Sequence, residues 1–405
     1  MLNYFVGALL LLWPWIESIQ GYIYADEGTK IITNFAAVAI ILIALIEMLL
    51  RGIPRKKLLL LLVLVASLFL WLALRIVFQD AGAIEIAFEL SPIVRGAFLF
   101  AVLLIYFDSI KPMLREKIVY WYAMYTWGII GVMIALSAIT GIGLKTYSAF
   151  ESGYKFYFTA NNELTFVYSL SFLTVFFLSG RLMKCVSMVI AVAIMLLIGT
   201  KGGFVVIALT FYIILFRMLC SIENAWIKAI SILFALFPLL LLVTFSDEAA
   251  DFFVKNVLVY GEGASKLAAK ISYLGIWGAL LSERDVLAQT GINAVFAGGD
   301  ISVFIGRGFF EYANSFYTWN ALRFAEIDIV DIFGGWGGGG VLLYLWFIVW
   351  VFRLGWNTNK LKTSLANVIV AGWTCLAILG NLAGHVILFS YPMLFLSVVL
   401  SLRAR

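Results

Sequence analysis

The sequence predicts an all-α, polytopic membrane protein of about 12 transmembrane helices with one large helical loop outside the membrane. Three observations carry that expectation. Of the 405 residues, 64% are hydrophobic and only 13% are charged, against roughly 45–50% and about 25% in soluble domains. Apolar runs bounded by charge, Gly or Pro recur along the chain at about the 20 residues needed to cross a hydrocarbon core. One segment, 246–337, breaks that rhythm.

Taken in order, the candidate spans are 3–19, 31–50, 58–78, 92–110, 118–140, 163–179, 185–199, 204–219, 229–245, 338–352, 364–382 and 386–402. The first run lacks the basic start and small-residue cleavage site of a signal peptide, so it is expected to stay as a helix. Residues 1–245 then form a bundle of spans one to nine, 246–337 the large loop, and 338–405 spans ten to twelve. Lys and Arg gather on one side of the alternation: Arg51, Arg55, Lys56 and Lys57; Lys111, Arg115 and Lys117; Arg181 and Lys184; Arg217 and Lys228; Arg353, Lys360 and Lys362; Arg403 and Arg405. The short loops on the other side hold Lys30, Lys145, Lys155 and Lys201. The positive-inside rule places the first set in the cytoplasm, with both termini there and the large loop outside. The net charge of +5 is thus explained by the lipid surface, and nucleic acid is set aside as a partner. Cys185, Cys220 and Cys375 offer no disulfide frame or zinc spacing, and a single histidine, His385, excludes a multi-histidine metal site.

The large loop holds 6 basic and 11 acidic residues, a net charge of −5. A segment so large and charged in an economical bundle is usually functional. Its patterns are helical. Ser246-Asp247 can cap a short helix, and Ser282 with Asp285 forms a capping box that starts another with Arg284 in its first turn. Gly298-Gly299-Asp300 closes that helix. Gly306-Arg307-Gly308, an aromatic stretch from Phe309 to Trp319, and Glu326, Asp328 and Asp331 follow before the glycine-rich run 334–340.

Six cations gather at the outer ends of spans or in the loop: Arg75, Arg95, Lys201, Arg284, Arg307 and Arg323. The positive-inside rule does not account for cations at that level. Within a span, an ionisable side chain requires a polar cavity or an anionic partner. For Arg75 and Arg95 the choices are a phosphate-bearing headgroup, a snorkelling position, or an ion pair with Glu85 or Glu89. Lys201 sits in the turn Gly199-Thr200-Lys201-Gly202-Gly203, which suits an anion at a helix start and equally a solvated hairpin. Asn161-Asn162-Glu163 reads as a helix cap, or as the polar edge of an aromatic lip (Tyr154, Phe156, Tyr157, Phe158) that grips sugar. Glu326, Asp328 and Asp331 either serve a proton transfer or compensate the dipole of the helix entering span ten. Asp328 and Asp331 share a helical face, and Glu326 points elsewhere. Gly335 and Gly339 have the spacing of close helix packing, and His385, near the last outer turn, reads first as a packed interface histidine.

This constellation resembles the superfamily of bacterial O-antigen ligases and Wzy-type O-antigen polymerases. The resemblance runs from Asn161 to His385. It is carried by Phe158-Thr159-Ala160-Asn161-Asn162-Glu163 at a span start, the Thr200-Lys201-Gly202 turn, Arg284 early in the loop, Gly306-Arg307-Gly308, the acidic helix Glu326 to Asp331 running into Gly334-Gly335-Trp336-Gly337, and Ala383-Gly384-His385-Val386. Lys201 stands where the family usually has Arg, which keeps the charge but loses the fork. Residues 246–337 contain no histidine, whereas similar ligases carry a functional one in that loop, which favours polymerase over ligase.

The resemblance implies a metal-independent, cofactor-free inverting glycosyltransferase of the multispan type C class in the bacterial inner membrane. It implies an undecaprenyl-diphosphate-linked glycan as donor and another as acceptor, joined at the periplasmic face into O-antigen, capsule or exopolysaccharide. It allows a chain-length regulator protein as a further partner. Arg284, Glu326 and Asp328 become the expected catalytic residues, with Arg75, Arg95, Asn162, Lys201, Arg307, Arg323 and His385 binding substrate. The rival from another class is a polysaccharide flippase or transporter, but charge concentrates in one loop and the halves show no similarity.

The orientation is testable by cysteine labelling in intact cells. A probe at Gly299 should be labelled from outside and one at Lys360 should not; labelling of Lys360 would reverse the orientation.

Overall fold

The computed structural model describes residues 2–23, 31–52, 54–147, 152–158, 160–220, 284–316, 324–356, 363–383 and 386–403. In the N-terminal part, helices α1 (Leu2–Ile23), α2 (Ile31–Arg51) and α3 (Arg55–Gln79) are followed by α4 (Ala83–Ile93). A π-turn (Val94–Phe98) leads from α4 into α5 (Leu99–Asp108), and α6 (Pro112–Thr140) comes next. A short antiparallel pair, β1 (Lys145–Tyr147) and β2 (Ser152–Tyr154), in register Lys145 to Tyr154, precedes α7 (Asn161–Leu178), α8 (Arg181–Ile198) and α9 (Lys201–Cys220). Three short helices, α10 (Arg284–Ala297), α11 (Asp300–Ile305) and α12 (Phe309–Asn314), lead to α13 (Asp328–Trp356) and α14 (Thr363–Thr374). A π-helix (Cys375–Ala383), α15 (Ser390–Leu400) and a 3₁₀ turn (Ser401–Arg403) finish the chain.

Among the described residues, seven helices are long and apolar enough to cross a membrane: Ile31–Arg51, Arg55–Gln79, Phe88–Asp108, Pro112–Thr140, Arg181–Ile198, Asp328–Trp356 and Thr363–Asn381. The protein is therefore an all-α polytopic membrane protein; the one departure among the described residues, the β1–β2 hairpin, is too short to carry a strand signal in the sequence. Eleven of the expected spans fall on helices; the span 229–245 lies outside the described residues, as do the Ser246-Asp247 cap and about half of the large loop.

Helix α7 is the axis of the bundle. It is buried almost from end to end, with Phe166, Tyr168, Phe172 and Leu173 fully enclosed. A helix apolar on every side belongs inside a bundle rather than at its lipid boundary. Helix α3 is the reverse case: its buried residues are Leu61, Leu72 and Arg75, and most of the rest is exposed.

What fastens α3 is polar and lies in its last turns. Trp71, Arg75 and Gln79 are spaced at one-turn intervals and so share a face. Trp71 donates to the Ile305 carbonyl at 3.0 Å, and Gln79 donates to the Gly306 carbonyl at 2.7 Å and to Ser302 Oγ at 3.2 Å. Arg75 donates to Gln79 and, at 2.7 Å, to Glu89 of α4. With side-chain exposures of 1% and 0%, Arg75 and Glu89 form a fully buried ion pair.

Helix α13 begins at Asp328, ten residues earlier than the expected span, and is broken at Gly337 (φ 65°, ψ −163°). Only glycine adopts that conformation readily, and a Cβ there would overlap the Phe304 carbonyl and the Gly306 amide. The α11–α12 turn docks into this break. Arg307 N–H donates to the Gly334 carbonyl at 2.7 Å, Gly306 lies against the Gly335 carbonyl, and Gly308 covers the Arg75–Glu89 pair so closely that a Cβ would collide with both side chains. The glycine-rich run thus receives the turn and aromatic rings of α11 and α12: Gly335 faces the Phe309 ring, and Gly339 faces the Phe304 carbonyl.

Breaking the buried pair should be costly, because it leaves a desolvated charge alone. Glu89→Gln is expected to destabilise the purified protein by about 3–5 kcal/mol, and Ser302→Ala, which removes one neutral bond, by about 1 kcal/mol. Thermal unfolding in detergent reads both; equal, small shifts would show that Arg75 finds another partner.

Candidate functional site

The α10–α13 layer has its own small core. Val295, Tyr312, Phe316 and Ala325 are buried together, with Leu287, Phe324, Val330 and Phe333 packed against them. Gly334 is needed beneath the Tyr312 ring, which a Cβ would strike. This core joins α10, whose first residue is Arg284, to the segment 324–327 that leads into α13. Arg284 and Glu326, separated by 42 positions, meet there with an Nη2–Oε2 distance of 3.0 Å. Their side chains are 15% and 35% exposed, so the pair is partly open, unlike Arg75–Glu89.

Glu326 holds a left-handed backbone, φ 62°, unusual for a residue with a Cβ. Asp331 explains how it is maintained. Its carboxylate accepts the Ala325 N–H at 2.9 Å on one oxygen and the Ile327 N–H at 3.1 Å on the other. The residues on either side of Glu326 are thereby clamped by one buried acid. Tyr312 lies against the same acid; burial, and then the Asp331 charge, push its phenol well above the ordinary range. Left-handed non-glycine residues held in this way are characteristic of functional sites.

Asp328 has a different environment. It is fully buried, and its two oxygens accept the N–H groups of Val386 (3.0 and 3.2 Å) and Ile387 (3.2 Å). Gly380 makes room for it, since a Cβ would overlap Oδ2. Beside it Asn381 accepts the Ile329 N–H at 3.3 Å and donates to Tyr344 Oη at 3.0 Å. Asp328 thus ties the start of α13 to the turn immediately after position 385. His385 and Arg323 themselves lie outside the described residues.

The remaining cations are placed as follows. Arg307 donates to Glu311 at 3.1 Å and to the Ala294 carbonyl at 3.3 Å, stitching α10 to α12. Arg75 is the partner of Glu89, as above. Arg95 falls in the π-turn after α4, and Lys201 is the first residue of α9. Asn162 lies half-buried in the first turn of α7. The turn before Lys201 is anchored to α7 by a 2.8 Å bond between Thr165 and Thr200 hydroxyls, and Gly199 (φ 74°) packs on Gly153 of the hairpin. The hairpin that Gly199 meets carries Tyr154, with Lys145 over its ring at 3.8 Å, and beyond it Tyr157 makes edge contacts with Phe156 and Tyr22. Burial holds the Lys155 amine below its ordinary range.

The structure therefore brings together Arg284 and Glu326, and separately ties the Thr200–Lys201 turn to α7 through Thr165. The sequence reading missed the clamp role of Asp331 and the handles Trp71 and Gln79. The one-turn spacing of 71, 75 and 79 was the available signal.

A family model described as O-antigen ligase like membrane protein matches residues 18–252, more than half of the chain. A comparison with curated proteins found no match. The family match covers the bundle from α1 onward and stops before α10, so the Arg284–Glu326 pair stands on its own residues.

Replacing Asp331 by Asn removes one of the two acceptors that bracket Glu326. Asp331→Asn is expected to cost about 1–3 kcal/mol of stability and to speed amide hydrogen exchange at Ala325–Ile327 while α14 keeps its protection. Unchanged exchange at those amides would show that the clamp does not hold the Glu326 backbone.

Proposed function

Since the chain belongs to the family of O-antigen ligase like membrane proteins, we propose that this membrane glycan-processing enzyme is a polymerase. In this reading it joins undecaprenyl-diphosphate-linked repeat units into a surface polysaccharide at the outer face of the inner membrane. The observation that carries the reading is the half-open Arg284–Glu326 pair, with its acid on a clamped, left-handed backbone.

The chemistry follows from those two groups. A hydroxyl oxygen of the acceptor sugar forms a bond to the anomeric carbon of the donor, and the bond from that carbon to the diphosphate oxygen breaks. Negative charge grows on the departing lipid diphosphate, where a guanidinium fork stabilises it most effectively. The hydroxyl proton goes to a carboxylate. Glu326 suits that step because it is partly exposed and adjoins the cation, whereas Asp328 and Asp331 are enclosed by backbone N–H groups. Asp328 and Asp331 are then positioning residues. A carboxylate, with an ordinary pKa of about 4, is a weak base toward a sugar hydroxyl, so its assistance matters once the leaving bond is stretched. Attack from the face opposite the diphosphate inverts the anomeric centre. Asn162, Lys201, Arg95, Arg307, Arg323 and His385 complete the proposed substrate contacts.

The second reading is ligation of a finished glycan to a lipid core or protein. The family's own description favours it, and the lack of histidine in 246–337 disfavours it.

Purified protein given only a lipid-linked repeat unit should form a ladder of longer lipid-linked glycans; a ligase forms none without its separate acceptor. In this assay Glu326→Gln is expected to lower turnover by about 10²–10⁴-fold. Arg284→Lys should also be impaired, because the charge survives and the fork does not. Wild-type turnover in both variants would remove the pair from the reaction.

A further inference from the structure

At the opposite end of the bundle one carboxylate serves three cations. Asp108 closes α5; its Oδ2 lies 2.9 Å from Arg403 and 3.7 Å from Lys57, and its Oδ1 lies 3.5 Å from Arg115. The cations come from three elements that converge there: the first turn of α3, the first turn of α6, and the 3₁₀ turn after α15. Arg115 also donates to the Ser401 carbonyl at 2.9 Å, and its side chain is only 3% exposed. Arg403 also donates to the Leu400 carbonyl at 3.2 Å and lies over the Trp350 ring at 5.2 Å.

The arrangement runs against ordinary helix electrostatics. Cations in a first turn face the positive end of the helix dipole, which favours anions instead. Both helices begin without a side-chain cap, α3 after Pro54 and α6 after Lys111. Two positive helix ends and three cations therefore converge on the one carboxylate of Asp108. A like-charged cluster of this kind is stabilised by a further anion, and guanidinium groups match the oxygen spacing of phosphate. The apolar surface beside it fits one source of phosphate. Leu58, Leu59, Leu60, Leu62 and Val63, which follow Lys57 along α3, are all exposed, so a chain attached to that phosphate can lie along the helix.

We propose that Lys57 and Arg403, set around Asp108 with Arg115 buried against it, form a binding site for the phosphate of an anionic phospholipid headgroup, with the acyl chains along α3. The site is distinct from the Arg284–Glu326 centre and does not depend on the reaction assigned to it.

The test uses the full-length protein in mixed micelles with phosphatidylglycerol or phosphatidylcholine, with bound lipid counted by native mass spectrometry and stability read by thermal unfolding. The wild type should retain phosphatidylglycerol in preference to phosphatidylcholine and unfold at a higher temperature with it. Lys57→Gln should weaken phosphatidylglycerol retention about fivefold, as expected for one cation near an anionic headgroup, and leave phosphatidylcholine retention unchanged. Without lipid this variant should be as stable as the wild type or more so, because a first-turn cation has been removed. Three results would overturn the proposal. Equal retention of the two lipids removes the preference for an anion. Inorganic phosphate that stabilises the protein as well as phosphatidylglycerol does would assign the site to a soluble phosphate instead of a lipid. Lower stability of Lys57→Gln in plain detergent, with undiminished phosphatidylglycerol retention, would make the cluster a closed ion-pair clamp.

Discussion

Two backbones approach each other at Gly306 and Gly335 more closely than any residue with a Cβ permits, and the candidate site is built on that contact. Arg307 N–H reaches the Gly334 carbonyl across it, and the break at Gly337 exists to admit it. The same turn presents the Gly306 carbonyl to Gln79 and lays Gly308 over the Arg75–Glu89 pair. A buried ion pair contributes little net stability but penalises any arrangement that separates it. Here it fixes how α3, α4 and the α11–α12 turn meet.

From that junction the order of causes runs to the Arg284–Glu326 pair. The docked turn positions α12, and the Tyr312 ring over Gly334 closes the small core that seats α10 and the 324–327 segment. Asp331 then holds the backbone on both sides of Glu326, and Arg284 meets the acid from the start of α10. Each acid of the Glu326, Asp328 and Asp331 group has its own role. Two are satisfied by backbone N–H groups and hold structure, and the third is partly open. Three carboxylates within six residues are thus distinguished by what their oxygens touch rather than by residue type.

Much of this was legible in the sequence, and the parts that were not have physical reasons. Apolar runs gave the helices because a bilayer imposes length and composition directly. The start of α7 at Asn161 and the end of α10 at Ala297 followed from polar and glycine punctuation. The acidic helix running into span ten was expected and forms the start of α13, but Asp328 and Asp331 looked like the polar border of a span; in the fold they are enclosed and bonded to amides. The glycine-rich run read as a helix-packing seam, and no periodicity distinguishes that from a socket for a turn. The π-turn within Val94–Phe98 and the left-handed Glu326 depend on contacts distant in the chain. The pairing of Arg75 was narrowed to Glu85 or Glu89 by proximity, and the choice of Glu89 needed the packing of α3 on α4.

The central claim is that Arg284 and Glu326 act as one reactive centre. A double-mutant cycle in turnover with a lipid-linked repeat unit tests it most directly, comparing Arg284→Ala, Glu326→Ala and the double variant at matched protein levels. Groups that serve the same transition state are strongly non-additive. The account predicts that the double variant is about as slow as the slower single variant. Losses that multiply would show two independent contributions and contradict it.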